Sequence, residues 1–240
     1  MIGGDRLSIL WSGGRVGNWV KALSITIVVG LFVWVVGFSS VLGVRAVRVS
    51  GTNLLTSDQI LRAASISTGR PLFRLNTGAV EDRVSRLPEV RSVRVSTSYP
   101  SAVIIAVTER VAVGYRVLAR GASLVDVDNN AFRDVSSVPA RLPKLQTSGG
   151  EVPDAARNSA QAAVAAALPG TVARTVALIV APTPESVTLT LTDGRTVLWG
   201  GTDRGAEKAR LLPILLKQRG AYFDLSDPDS VISRETTGGR

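Results

Sequence analysis

From Ala22 to Val44 the chain runs for 23 residues without a charge, and no comparable run follows. At a helical rise of about 1.5 Å per residue such a stretch extends roughly 34 Å, enough to cross a hydrocarbon core of about 30 Å with some tilt. A cleaved signal peptide has a shorter apolar stretch, about 7–15 residues, closed by a small-residue site. Val44-Arg45-Ala46 is a poor site of that kind. A buried core helix would show a polar face, whereas Ser24, Thr26, Ser39 and Ser40 are the only polar side chains in the run. The sequence therefore predicts a single transmembrane helix over 22–44, a cytoplasmic tail over 1–21 and an extracytoplasmic remainder. Arg6, Arg15 and Lys21 precede the run and Arg45 and Arg48 follow it. That bias is slight, so the orientation rests mainly on how easily a short basic N-terminus stays in the cytoplasm.

Composition narrows the chemistry. With no cysteine and no histidine, disulfides and thiolate chemistry are excluded, as are the commonest general base and the commonest transition-metal ligand. The net charge of +9 and the pI near 10.9 come from scattered Lys and Arg with few aromatics. Anionic envelope polymers and membrane lipid are better expected partners for such a surface than nucleic acid, the alternative being a soluble surface of mixed charge with no such partner. Nothing matches G-x-S-x-G, S-x-x-K or a phosphate-binding loop, although a serine and a lysine brought together by folding stay open. Asp126, Asp128 and Asn130 open like a calcium loop, but Ala131 and Ser137 stand where glycine and a bidentate glutamate are required. Glu109-Arg110 is expected to be a solvated pair at the end of an edge strand, and Glu81-Asp82 a helix polar face. No catalytic residue, metal or cofactor is expected.

After the run, Val44 to Val49 reads as a short strand stopped by the turn Ser50-Gly51-Thr52-Asn53. Thr56 and Gln59 have capping-box spacing, predicting a helix through Ala64, broken at Ser67 to Pro71. A second helix is predicted over 77–87 from Val80, Val84 and Leu87. Pro88 stops it. Val90, Val93 and Val95 then lead to Tyr99-Pro100, and Val103, Ile105 and Val107 alternate with Ile104, Ala106 and Thr108. The order β-α-α-β-β, with two helices on one face of a three-stranded sheet, makes an α+β unit of about 70 residues, small but viable.

This order and the landmarks Val47-Arg48-Val49-Ser50-Gly51, Leu87-Pro88, Val93-Arg94-Val95, Tyr99-Pro100-Ser101 and Val103 to Arg110 resemble a POTRA domain set directly after a signal anchor. The arrangement is similar to that of the bacterial cell-division family FtsQ, also called DivIB. One position departs: Ala112 stands where the family often has proline. The remainder reads as a second, strand-rich unit. Leu124 to Phe132 looks like a hairpin with Asn129 at the family's glycine position, where asparagine tolerates left-handed backbone angles. Arg141-Leu142-Pro143-Lys144-Leu145 resembles the family's Leu-Pro linker. An alanine-rich helix is predicted from Pro153 to Leu168. A strand from Thr175 to Val180 follows. Next comes a hairpin in which Val187, Leu189 and Leu191 alternate with threonines and Asp193-Gly194 turns the chain back into Arg195 to Trp199. Leu191 to Val197 also fits the family's Leu-x-Asp-Gly-Arg-x-Val motif. A helix from about Asp203 carries Leu211, Leu212, Ile214, Leu215 and Leu216, with Pro213 expected to kink it, Gly220 to close it, and Lys208 matching a family Lys-x-x-x-Leu pattern. A terminal strand is expected around Asp229 to Ser233.

The predicted organisation is a tail (1–21), a transmembrane helix (22–44), a POTRA domain (45–113), an FtsQ-type β domain (114–234) and a flexible tail (235–240). What the resemblance implies is a non-enzymatic divisome scaffold at the division septum. It would link FtsB/DivIC-like and FtsL-like bitopic proteins, and through them the septal synthase proteins FtsW and FtsI, to peptidoglycan synthesis. A sheet ending in a short strand offers unpaired amides and carbonyls that a partner strand can satisfy. By position, the family's partner-binding region falls on Tyr222, Phe223, Leu225, Asp229, Ser230, Val231, Ile232 and Ser233. The alternative for Tyr222, Phe223 and Leu225 is an inner strand's core. Two other function classes are weighed: a POTRA-type transport component, which would need a long series of barrel strands absent from this sequence, and an anchored envelope hydrolase.

Overall fold

The computed structural model describes residues 16–38, 43–146 and 154–234. The described residues group into two compact units. One lies within Met1–Thr52, Thr56–Val84 and Val93–Val107, the other within Asn53–Leu55, Ser85–Ser92 and Thr108–Arg240.

The first unit contains α1 (Val16–Phe38), β1 (Ala46–Ser50), α2 (Ser57–Ala64), a 3-10 turn (Leu72–Arg74), α3 (Thr77–Ser85) and most of β2 (Val90–Ser98) and β3 (Ala102–Glu109). The expected β-α-α-β-β order is present. Helix α1 begins six residues before the predicted span, and residues 39–42 of that span lie outside the described residues. Side-chain placement in α1 is described for 19–31 and Trp34, and among the described residues no helix is long and apolar enough to cross a membrane. The last two residues of the apolar run belong to the folded unit instead. Gly43 forms a bridge with Pro71, and Val44 is 1% exposed.

Helix α2 starts where Thr56 and Gln59 close a reciprocal capping box, satisfying two amides that a helix start otherwise leaves unpaired. It ends at Ser65, in the left-handed conformation with φ 46°. Helix α3 buries Val80 and Val84 and stops at Ser85, leaving Leu87 outside the predicted stripe. The sheet runs β1-β3-β2, with β1 parallel to β3 and Val47 and Val49 registered on Val103 and Ile105. Strand β3 is central and its inward residues Val103 and Ile105 are fully buried. Gly51, at φ 82°, has no room for a side chain, because a Cβ would lie 2.0 Å from the Val107 carbonyl oxygen.

The second unit contains β4 (Gly114–Val117), β5 (Ala122–Val125), β6 (Ala131–Val135), β7 (Lys144–Gln146), α4 (Asp154–Ala167), α5 (Gly170–Ala173), β8 (Val176–Val180), β9 (Val187–Leu191), β10 (Thr196–Gly200), α6 (Gly205–Leu215), β11 (Tyr222–Asp224) and β12 (Ile232–Arg234). They build one mixed sheet ordered β12-β11-β10-β9-β8-β7-β4-β5-β6. Hairpins supply the antiparallel pairs β4–β5, β5–β6, β8–β9 and β9–β10. Parallel pairings of β7 with β4 and β8, and of β11 with β10, join them. On β9 the inward residues Val187, Leu189 and Leu191 are buried, and they pack with Ile179, Val197, Trp199, Leu212, Phe223 and Leu225 and with Ala160 and Val164 of α4. Pro213 lies in the last turn of α6, which ends at Leu215, before Gly220. The predicted helix start at Pro153 and the tail 235–240 lie outside the described residues.

The turn between β5 and β6 bears out the left-handed asparagine, with Asn129 at φ 65°. The Glu109-Arg110 expectation is corrected. Strand β3 is not an edge strand, and the two side chains serve different partners. Glu109 accepts the backbone amides of Asn53 (3.0 Å), Leu54 (2.7 Å) and Leu55 (2.8 Å). Arg110 pairs with the Asp126 carboxylate and donates to the Pro88 carbonyl. The carboxylate read as the opening of a calcium loop is thus engaged by Arg110, by the Asn130 amide (2.8 Å) and by the Asn130 side chain.

Candidate functional site

The strand order leaves β12 and β6 as the two borders of the large sheet. Strand β12 pairs antiparallel with β11, Ile232 facing Asp224, Ser233 facing Phe223 and Arg234 facing Tyr222. All three of its residues are exposed. Alternate amides and carbonyls of a border strand point away from the sheet and stay available to a further strand.

The expected partner-binding residues divide into two groups. Phe223 and Leu225 are completely buried in the core. Truncating a buried Phe or Leu costs about 2–5 kcal/mol, so both sustain the sheet and neither is exposed on its border. Tyr222 is half-buried. Asp229 and Ser230 are exposed loop residues and Val231 packs against the core, so the regular strand starts at Ile232, three residues later than predicted. Ile232 and Ser233 stand on the open border, Ile232 with 44% of its surface exposed. One close approach fixes the path of the segment after β11. Gly200 adopts φ 77°, and a Cβ there would lie 2.9 Å from Ser226 Cα.

The loop between β11 and β12 is held by an arginine that sequence spacing does not reveal. Arg204 precedes α6 in the left-handed conformation, with φ 49°. Its Nη1 reaches Asp227 (3.3 Å) and Asp229 (2.9 Å), Nη2 reaches Asp229 (2.9 Å) and Glu207 (3.1 Å), and Nε reaches Glu207 (2.9 Å). Hydrogen bonding from Arg204, reinforced by its charge, holds the Asp229 carboxyl below the usual carboxylate range, and the same contacts raise the Arg204 guanidinium. All four side chains are solvent-facing, 39% to 73% exposed, so salt screens the network. Beneath it, Lys208 is fully buried, its ammonium donating to the Gly201 carbonyl (3.2 Å) with Asp203 at 3.7 Å. The family pattern marks Lys208, but nothing in its spacing signals burial.

The opposite border is built differently. Phe132 of β6 is 4% exposed and anchors the strand, while Arg133 donates to the Leu54 carbonyl. Pro88, Glu89, Ser123, Arg133 and Asp134 line an open depression of about 480 Å³ beside it. Among the described residues no cluster of acidic side chains could hold a metal ion.

With this geometry established, two family models match the chain in order. The POTRA domain, FtsQ-type, covers residues 42–110, and the cell division protein FtsQ/DivIB C-terminal model covers 111–226. A cell division protein FtsQ of Mycobacteroides abscessus is 39% identical over 192 residues, 80% of this chain and 61% of that protein. That of Streptomyces venezuelae is 35% identical over 228 residues, 89% of this chain and 83% of that protein. The chain spans only 54% to 64% of the first mycobacterial relatives it matches. A solved extracytoplasmic domain of DivIB from Geobacillus stearothermophilus is 18% identical with a TM-score of 0.35, over 45% of this chain and 92% of that one. That likeness is too loose to define a fold. Two adjoining family models and a relative matched over most of its length show that the chain belongs to the FtsQ/DivIB family of bacterial cell division proteins.

Proposed function

We propose that this chain is a membrane-anchored, non-enzymatic scaffold of the division machinery that captures a partner polypeptide by adding its strand to β12. One observation carries the reading: the terminal strand is exposed along its length and paired on one flank only among the described residues. Backbone pairing supplies affinity in strand addition, and the side chains alternating along the border supply selectivity. Tyr222, Val231, Ile232 and Ser233 are the residues in place to provide that selectivity, with Asp229 and Ser230 at the entrance. The FtsB/DivIC-like proteins that the family resemblance implies, travelling with FtsL-like coiled coils, are the partner class proposed. The anchor reading rests on the uncharged run between Lys21 and Arg45. It puts both folded units outside the cytoplasm, at the septum, where the scaffold would link its partners to peptidoglycan synthesis.

Proline scanning tests the docking border. Neighbouring amides on β12 point alternately toward β11 and away from it. Of Ile232→Pro and Ser233→Pro in the full chain, one therefore removes an outward amide. That variant is expected to lower partner capture at least tenfold, about 1.4 kcal/mol, with an unchanged melting temperature. Capture unaffected by both substitutions would refute the border.

A further inference from the structure

The first unit carries an exposed apolar side chain that its own packing does not explain, beside the point where the chain leaves the apolar run. The Val44 amide donates to the Arg70 carbonyl (2.9 Å) and the Gly69 amide to the Val44 carbonyl (2.9 Å), next to the Gly43–Pro71 bridge. A Cβ on Gly43 would lie 2.8 Å from the Gly69 carbonyl oxygen, so the two backbones touch. Residues 69–74 are thereby fixed against the end of the run. Within that turn Leu72 is 1% exposed, whereas Phe73 beside it is 53% exposed, with the Arg74 guanidinium 5.4 Å from the ring centre. Arg45, Arg70 and Arg74 are all exposed. Segments 43–52 and 66–76 contain four arginines and no acidic residue.

An aromatic ring flanked by arginines suits the boundary between headgroups and acyl chains. The ring settles at headgroup depth and each guanidinium pairs with lipid phosphate. A single phenylalanine binds a bilayer weakly, but a neighbouring anchor keeps the local lipid concentration high, so little affinity is needed. We propose that the Pro71–Arg74 turn docks on the outer surface of the membrane that holds the anchor, with Phe73 at the acyl boundary and Arg45, Arg70 and Arg74 on anionic phosphates. The inference rests on the anchor reading given above. It adds a second attachment point, which fixes the orientation of the first unit against the bilayer.

The chain has no cysteine, so single-cysteine variants of the full chain carry one fluorophore each. They are reconstituted in phosphatidylcholine vesicles with or without phosphatidylglycerol, and quenching by lipid-borne spin labels is read at Leu31→Cys, Thr68→Cys and Ser50→Cys. Leu31 reports the anchor, Thr68 the proposed turn, and Ser50 the far end of β1. The expected result is deep quenching at Leu31, headgroup-level quenching at Thr68 that strengthens with phosphatidylglycerol, and none at Ser50. Adding Phe73→Ser to the Thr68 probe should weaken its quenching and remove its dependence on phosphatidylglycerol, and Arg70→Gln or Arg74→Gln should each lower the docking equilibrium constant about fivefold. Circular dichroism checks that these variants stay folded. Quenching at Leu31 with none at Thr68, or quenching at Thr68 indifferent to both phosphatidylglycerol and Phe73→Ser, would overturn the docking and leave the anchor standing. No quenching at Leu31 would overturn both.

Discussion

The two borders of the large sheet face the same hazard, a row of unpaired backbone groups, and are managed in different ways. At β6 the restraints are buried or partly buried: Phe132 in the core, the Arg110–Asp126 pair with Asp126 at 2% exposure, and Arg116 donating to Asn129 in the adjoining turn. At β12 the strand has three exposed residues, and the loop before it is restrained by solvent-facing charges gathered on Arg204. A charge taken out of water must keep its partner, whereas an exposed pair contributes little to stability. The β6 end is therefore a structural seam, and the β12 end is held by solvent-facing contacts, which suits the proposed strand addition.

The largest expected effect tests the seam. Asp126→Ala leaves Arg110 without its carboxylate and should cost about 3 kcal/mol in chemical denaturation of the full chain. A loss as small as that of an exposed pair would erase the contrast. Next is Glu109→Ala, which strips a charged acceptor from three consecutive amides and should cost about 2 kcal/mol. These two carboxyls share a pH signature. Partial burial pushes each up, but hydrogen bonds outweigh it: Leu54, Leu55 and Asn53 amides with the Arg133 charge for Glu109, and Asn130 and Arg110 for Asp126. Both therefore sit below their ordinary values. Their stabilisation is complete at neutral pH and fades as pH falls below about 4 through the lowered values. Glu109→Gln should flatten the acid limb of the stability profile, and an unchanged limb would contradict the assignment.

The smallest effect on stability is expected at the other border. Arg204→Ala should leave the melting temperature unmoved while lowering partner capture a few-fold, and the wild-type chain should show the same loss as salt rises. Arg204→Lys, which keeps the charge but not the fork, should restore capture only in part. A large loss of stability in Arg204→Ala would place this border in the same class as β6.

Local chemistry was legible in the sequence, and pairings across long separations were not. Thr56 and Gln59 set the start of α2 because a capping box closes within three residues. Asn129 and Asp193-Gly194 marked turns because positive φ restricts residue choice. The alternation of Val103, Ile105 and Val107 with Ile104, Ala106 and Thr108 marked β3 as a strand, and the structure buries the first set. The end of the apolar run misled, since burial of Val44 in protein and burial in lipid read alike in hydropathy. Arg204 gathers Asp227 and Asp229, ahead of β12, from 23 and 25 residues away. Glu109 likewise finds its amides 54 to 56 residues back. Of the expected site, the border position of the terminal strand was readable. Whether Phe223 and Leu225 face inward stayed open between two alternatives, because Phe223 comes into register with Val197 only once β11 lies beside β10.

Photo-cross-linking in dividing cells that express the full chain reads the two borders against each other most directly. A photoreactive residue at Ile232 is expected to trap a single membrane-anchored division protein, and one at Asp134 of β6 to trap none. Adducts from Asp134 without any from Ile232 would contradict the assignment of β12 as the docking border.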